Sequence, residues 1–274
     1  MAMSINTNTL SLTTQRNLDG NQSALASSMQ RLSSGLRVNT SKDDAAGMAI
    51  ASRMETQIRG MAVAQRNAQD AISLVQVAEG AIGRVSDMLQ RMRELAVQSS
   101  NATNATADRA NLDAEFQQLA QEVTRTVSNT RFNGIDIIAS GAGTTNYQVG
   151  PNSTDQVAVV TVNLSNTSAL TNVTSGAVTS ATAASSAMAN IDTALTLVNT
   201  QRAMYGAVQN RFEAMIQVLQ VNTENTAAAK GRIMDTDFAA ETANLSRAQI
   251  LQQAASAMVA QANSMPQQVL QLLR

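Results

Sequence analysis

Residues 245–274, LSRAQILQQAASAMVAQANSMPQQVLQLLR, carry an apolar seam up to the last residues of the sequence. Leu251, Ala255, Met258, Ala262, Met265, Val269 and Leu272 follow one another at intervals of 4, 3, 4, 3, 4 and 3. Such intervals place side chains on one face of an α-helix, and a face of this kind needs a second helix against it. Near the other end, Leu18, Gln22, Leu25, Met29, Leu32 and Leu36 repeat the pattern with one polar member. Two heptad helices at opposite ends of one chain can pair with each other. Their remaining faces are rich in Ala and Gln rather than Lys and Glu, so a surface beyond the chain is expected to cover what the pair leaves open.

Between these ends the pattern is again mostly helical. Gly35 can close the first helix, and Ser41-Lys42-Asp43-Asp44 reads as a capping start for the next. A stripe from Ile58 through Met61, Gln65, Ala68, Ile72, Val75, Ala78, Ile82, Val85, Leu89 and Met92 to Ala96, with one polar member, predicts one helix reaching about Gln98. SSNATNAT (99–106) is a turn, and Asp108 to about Ser128 returns as helix. From Arg131 the texture changes: FNGIDII, NYQVG and QVAVVTVNL are β-rich and broken by Gly and by GPNSTD, a hairpin signal. The small, polar stretch 165–186 reads as a loop. Helix resumes near Met188 and runs toward Ala229, with a break expected at Lys230-Gly231 and a cap at Thr236 or Asp237 for the last helix.

The fold class is therefore mainly α: a long antiparallel helical rod or coiled coil, with a small β-hairpin region at the far end and both termini together. The expected division is 1–42 and 231–274 as the two halves of a terminal coiled coil, with 43–230 as a rod domain. Within that domain fall helices over 43–128 and 188–229, a β region over 131–164 and the loop 165–186.

Composition removes several function classes. The 274 residues contain no Cys, no His and no Trp. Thiol nucleophiles, Ser-His-Asp triads and the zinc sites that lean on Cys and His are excluded with them. Charged residues make up 14% of the chain and the net charge is −1, so no bulk attraction to nucleic acid or to acidic lipid is expected. The first residues lack the basic and apolar regions of a secretory signal, and no apolar run is long enough to span a bilayer. Asp43-Asp44 and Asp235/Asp237 could be mistaken for acid–base pairs, but both sit where helices begin, and capping accounts for them. No phosphate loop or metal motif is present, and neither a metal nor a cofactor is expected. The 14 Met residues fall mostly on apolar stripes and read as packing. The many Asn-x-Ser/Thr sequons are what chance supplies in a chain this rich in those residues.

Several long segments together resemble the bacterial flagellins. They are SINTNTLSLTTQRNL near the start, SMQRLSSGLRVNTSKDDAAGMAIASRM after it, LQRMRELAVQSSNAT (89–103), RFNGIDII (131–138), YGAVQNRF (205–212), SRAQILQQA (246–254) and the closing QANSMPQQVLQLLR. The resemblance covers most of the chain. It departs from many flagellins in the middle, where only the hairpin and the Ser/Thr/Ala-rich stretch occupy the slot of their variable outer domains, so the chain is similar to a minimal form.

The resemblance implies a subunit that polymerises with itself into the extracellular helical filament of the bacterial flagellum, serving motility. It implies secretion through the flagellar type III export apparatus, an export chaperone holding the C-terminal helix, and contact with hook-associated junction and cap proteins. Terminal segments in the family order on assembly, so the seam from Leu251 to Leu272 would be covered first by the chain's own N-terminal helix and then by neighbouring subunits. QRMRELAVQ (90–98) is similar to the motif recognised by the vertebrate innate flagellin receptor, which assigns Arg91, Leu95 and Glu115 to that contact. The plainer reading of Arg91 is an i,i+4 pair with Asp87. Family members are sometimes O-glycosylated in the outer region, which here leaves 165–186. Two rival readings are a hook–filament junction protein and a membrane-active amphipathic translocator. The second calls for a basic polar face and interfacial aromatics, which the tail lacks, so no membrane insertion is expected.

Overall fold

The computed structural model describes residues 7–272, with side chains as far as Met265. Six helices and two hairpins follow in order: α1 Thr9–Ser34, α2 Ala45–Ser100, α3 Thr106–Asn129, β1 Arg131–Phe132, β2 Ile135–Asp136, β3 Thr144–Gln148, β4 Gln156–Val160, α4 Ser168–Thr174, α5 Ala181–Met234 and α6 Phe238–Leu272. The chain divides into two compact units. One joins the N-terminal part up to Thr56 with the part from Glu224 onward; the other is Gln57–Thr223.

In the first unit α1 lies against α6. Asn8 donates from Nδ2 to the Ala262 carbonyl at 2.8 Å, and at the opposite end Arg31 approaches Glu241 at 3.9 Å, so the pair is antiparallel. Local chemistry sets the ends of α1. Asn8 caps it by accepting from the Ser11 amide, and Gly35 closes it at φ 71, a left-handed conformation that costs glycine little. Beyond Gly35 the strand-like stretch is tied to the end of α5. The Arg37 amide donates to the Met234 carbonyl at 2.6 Å, the Thr236 amide to the Gly35 carbonyl at 3.0 Å, and the Arg37 guanidinium to the Ile233 carbonyl at 2.8 Å. Val38, Ala51 and Met234 form a small apolar cluster beside this clasp, and Lys230 pairs with Glu55 at 2.6 Å.

The second unit holds the main core. Val75, Ile82, Val85, Leu89 and Met92 of α2 meet Phe116, Val123 and Val127 of α3 and Ile191, Val198, Tyr205 and Phe212 of α5. The predicted stripe on α2 is thus the buried face. Each hairpin is antiparallel: Phe132 faces Ile135 across an Asn133-Gly134 turn, and β3 and β4 pair from Thr144↔Val160 to Gln148↔Gln156. On β4 the alternation is strict, with Val157 and Val159 inward and Ala158 and Val160 outward. Gly60 permits the β3–β4 connection to approach α2, since a Cβ there would stand 3.0 Å from the Pro151 side chain.

Two expectations change. The stretch 165–186 is not all loop: α4 forms within it and α5 already begins at Ala181. Leu170 and Val173, three apart, are buried, and Gln117 and Asp113 of α3 hold the backbone of Gly176 and Val178 at 2.8 and 2.7 Å. Packing against α3 thus supplies what propensity does not. Lys230-Gly231 does not break α5, which runs on to Met234. Lys230 is held by Glu55, and the missing Cβ of Gly231 leaves room for the Asp235 carboxylate, which would stand 2.8 Å from one.

Candidate assembly and recognition surfaces

The seam that α6 turns toward α1 is shifted from the one its large apolar residues mark. The buried or half-buried positions are Glu241, Leu245, Ala248, Gln252, Ala255, Val259 and Ala262, again at 4,3 spacing. Opposite them, α1 offers Ser11, Thr14, Leu18, Asn21, Leu25, Ser28 and Leu32. Of the expected α1 seam, Leu18, Leu25, Leu32 and Leu36 are half-buried, and Met29 is exposed.

On α6 only Ala255 and Ala262 of the expected seam face inward; Leu251, Met258 and Met265 remain 45%, 54% and 36% exposed. The expectation that α1 covers this seam first is therefore corrected. The most buried positions of the inner contact are small or polar, with Leu18, Leu25, Leu32, Leu245 and Val259 only half-buried around them, and hydrogen bonds such as Ser11 to Asn263 at 2.7 Å join the helices. The larger side chains stand one heptad row away and stay open. Val269 and Leu272 lie outside the described side chains. On the described part of α6 one stripe is thus paired with α1 and a second, larger one is exposed.

A second surface surrounds Arg91 in the other unit. Its guanidinium reaches Glu94 at 2.9 Å and, across to α3, meets one oxygen of Glu115 through Nε at 3.0 Å and Nη2 at 2.9 Å. The structure thus brings together Arg91 and Glu115, which sequence resemblance linked, and replaces the expected Asp87 pairing with Glu94. The hydrogen bonds that Arg91 donates to Glu94 and then to Glu115 hold it even more firmly protonated than usual. All three side chains are about half exposed or more, so the network is a presented surface worth little to stability. Leu95 behaves differently. At 1% exposure it belongs to the core and sits beneath this surface rather than on it. Nearby, Arg93 reaches Asp192 of α5 at 2.7 Å, which holds that carboxyl below its ordinary range.

One member of each acidic pair caps a helix. Asp44 accepts from the Gly47 amide at 2.8 Å at the start of α2, and Asp237 accepts from Ala239 and Ala240 at the start of α6. Amides of Thr40 and Asn39 and the Thr40 hydroxyl all donate to Asp43, and the Thr40 amide leads in lowering its pKa. Among the described residues no group of three or more His, Cys, Asp or Glu is placed to hold a metal, and no helix is long and apolar enough to cross a membrane.

These features define a class: a helical structural protein whose two ends zip together and still expose an apolar row. The comparisons with known proteins agree. The model of the bacterial flagellin N-terminal helical region matches residues 5–142, and that of the C-terminal helical region matches 188–273. The chain is 45% identical to a flagellin of Halalkalibacterium halodurans over 272 residues, covering 99% of this chain and all of that one. It is 39% identical over 286 residues to the flagellar filament 30.7 kDa core protein of Treponema maltophilum, again over 99% of this chain and all of the relative. Among solved structures it is similar to a Bacillus cereus flagellin, with TM-score 0.51 and 30% identity over 60% of this chain and 94% of that one. The chain belongs to the bacterial flagellin family, and is in kind a structural subunit of the flagellar filament. Only the interval 143–187 separates its two matched regions.

Proposed function

We propose that this chain polymerises with copies of itself into the extracellular helical filament that bacterial motility uses, and that the open row of α6 drives the contact. The observation that carries this reading is the exposure of Leu251, Met258 and Met265 on a helix whose other stripe is already paired. Burying two such side chains is worth about 1.5–3 kcal/mol each. A head-to-tail contact between identical copies that does not close on itself yields an open helix. The terminal parts 1–42 and 231–274 act as the assembly coil, and 43–230 as the rod that carries it. Secretion through the type III flagellar apparatus, a chaperone on the C-terminal helix, and junction and cap proteins at the filament ends complete the reading.

Seeded growth of purified chain, followed by electron microscopy, tests it. Leu251→Ser with Met258→Ser is expected to raise the concentration needed for growth by roughly tenfold or more while leaving helix content unchanged. Growth at the original concentration overturns the reading.

We further propose that the Arg91–Glu115 surface is what a vertebrate innate flagellin receptor contacts, with Leu95 holding it from below. Arg91→Ala is expected to lower receptor signalling by the monomer by roughly tenfold, as for a central interface arginine. Arg93→Ala, whose partner lies on α5, serves as the comparison. Equal loss in both variants, or none in the first, removes the assignment.

A further inference from the structure

The chain contains one Asn-Gly dipeptide, Asn133-Gly134, and it forms the whole turn between β1 and β2. Asn133 has φ 51 and Gly134 φ 79, a two-residue turn of the type that Asn-Gly favours. Both residues are exposed, and nothing beyond the chain neighbours stands within 4 Å of a Cβ built on Gly134, so the turn is open on that side. The hairpin around the turn is slight. Each strand has two residues, paired as Arg131↔Asp136 and Phe132↔Ile135. Ile135 is 62% exposed, and the one side-chain tie across the strands is the Arg131–Asp136 contact at 2.7 Å. A hairpin of this size is marginal alone, and its tip opens at little cost.

We propose that Asn133 is a self-modifying site at which the folded protein converts to isoaspartate. When the tip opens, the deprotonated backbone nitrogen of Gly134 attacks Cγ of Asn133. A C–N bond forms, the bond from Cγ to the side-chain nitrogen breaks, and ammonia leaves with a proton from solvent. Water then opens the five-membered imide at either carbonyl, giving aspartate or isoaspartate at 133. The balance is one water in and one ammonia out, with no oxidant or reductant. No other asparagine is followed by a residue without a Cβ, so none has so unhindered an attacking nitrogen.

The position gives the change a consequence. Isoaspartate adds a methylene to the main chain of a turn with no spare residue, so the Phe132↔Ile135 register is lost. Phe132, Asn133 and Ile135, with Asp70, Leu74 and Tyr147, line a cavity of about 580 Å³. Modification would open that cavity and place a third carboxylate beside Asp70 and Asp136.

The test is to age the purified full-length chain, folded and denatured, at neutral and mildly alkaline pH. Isoaspartate is then mapped with an isoaspartyl methyltransferase label and by peptide mass spectrometry. In the folded chain isoaspartate is expected first at 133, ahead of the Asn-Ser positions 152 and 263, and faster at the higher pH. Asn133→Gln, which must close a larger ring, is expected to abolish the early ammonia release whatever it does to the hairpin. Isoaspartate at 133 in the denatured chain but not in the folded one overturns the proposal, because the turn would then be locked. Earlier modification elsewhere in the folded chain overturns it too.

Discussion

Tyr205 is fully buried on α5, and its hydroxyl has no hydrogen-bond partner of good geometry; the Val162 backbone approaches it and acts against the larger effect of burial. Burial pushes the phenol up to about 12 from 10.0. The group is therefore neutral in the folded chain at pH values where the unfolded chain ionises it. Its contribution is intact below pH 10.0 and is lost as pH rises toward about 12. Tyr205→Phe is expected to remove this part of the alkaline loss. At neutral pH it should leave stability unchanged or raise it by about 1 kcal/mol, because an unpaired buried hydroxyl is removed. Denaturant titration at several pH values checks both. At this scale the sequence was legible wherever a residue has one common use, as with the caps Asp44 and Asp237. It was silent where geometry chooses among partners: Arg91 had an acidic residue four positions back but bonds Glu94 and Glu115 instead.

At the scale of elements, turn chemistry and period carried far. Gly35 ends α1 as expected, and the GPNSTD signal falls in the β3–β4 connection, whereas the short β1–β2 hairpin around Asn133-Gly134 emerged only in the structure. Gly35→Ala is expected to cost about 1 kcal/mol through its left-handed φ, read as a lower melting temperature with α1 and α6 separating first. The β4 alternation was visible as QVAVV. What propensity missed was α4 and the passage of α5 through Gly231, since both depend on distant partners: α3 for the first, Glu55 for the second. The α6 seam is the sharper case. Ala255 and Ala262 lie within reach of both stripes, so the sequence allowed either row to face α1. The row of large residues is the natural reading, yet the polar and small one is used.

The whole molecule contrasts two kinds of packing. Residues 57–223 bury long runs of Val, Ile, Leu, Met and Phe, whereas the α1–α6 contact buries chiefly Ser11, Ser28, Glu241, Ala248 and Ala262. Apolar area removed from water sets most of local stability. Native-state hydrogen exchange is therefore expected to run fastest in α1 and α6 and slowest over 75–92 of α2. Equal protection in both would show that the terminal pair draws stability from something other than this packing.

Period, turn residues and caps are properties of neighbouring positions, so the helical class, the hairpin signalled by GPNSTD and the pairing of the chain's ends were written in the sequence itself. Long matched segments added the family. Which face of α6 turns inward, which acid holds Arg91, and whether Leu95 is surface or core are choices between equivalent local options. They are decided by the side chains that arrive from α1, α3 and α5, and only the folded chain brings those together.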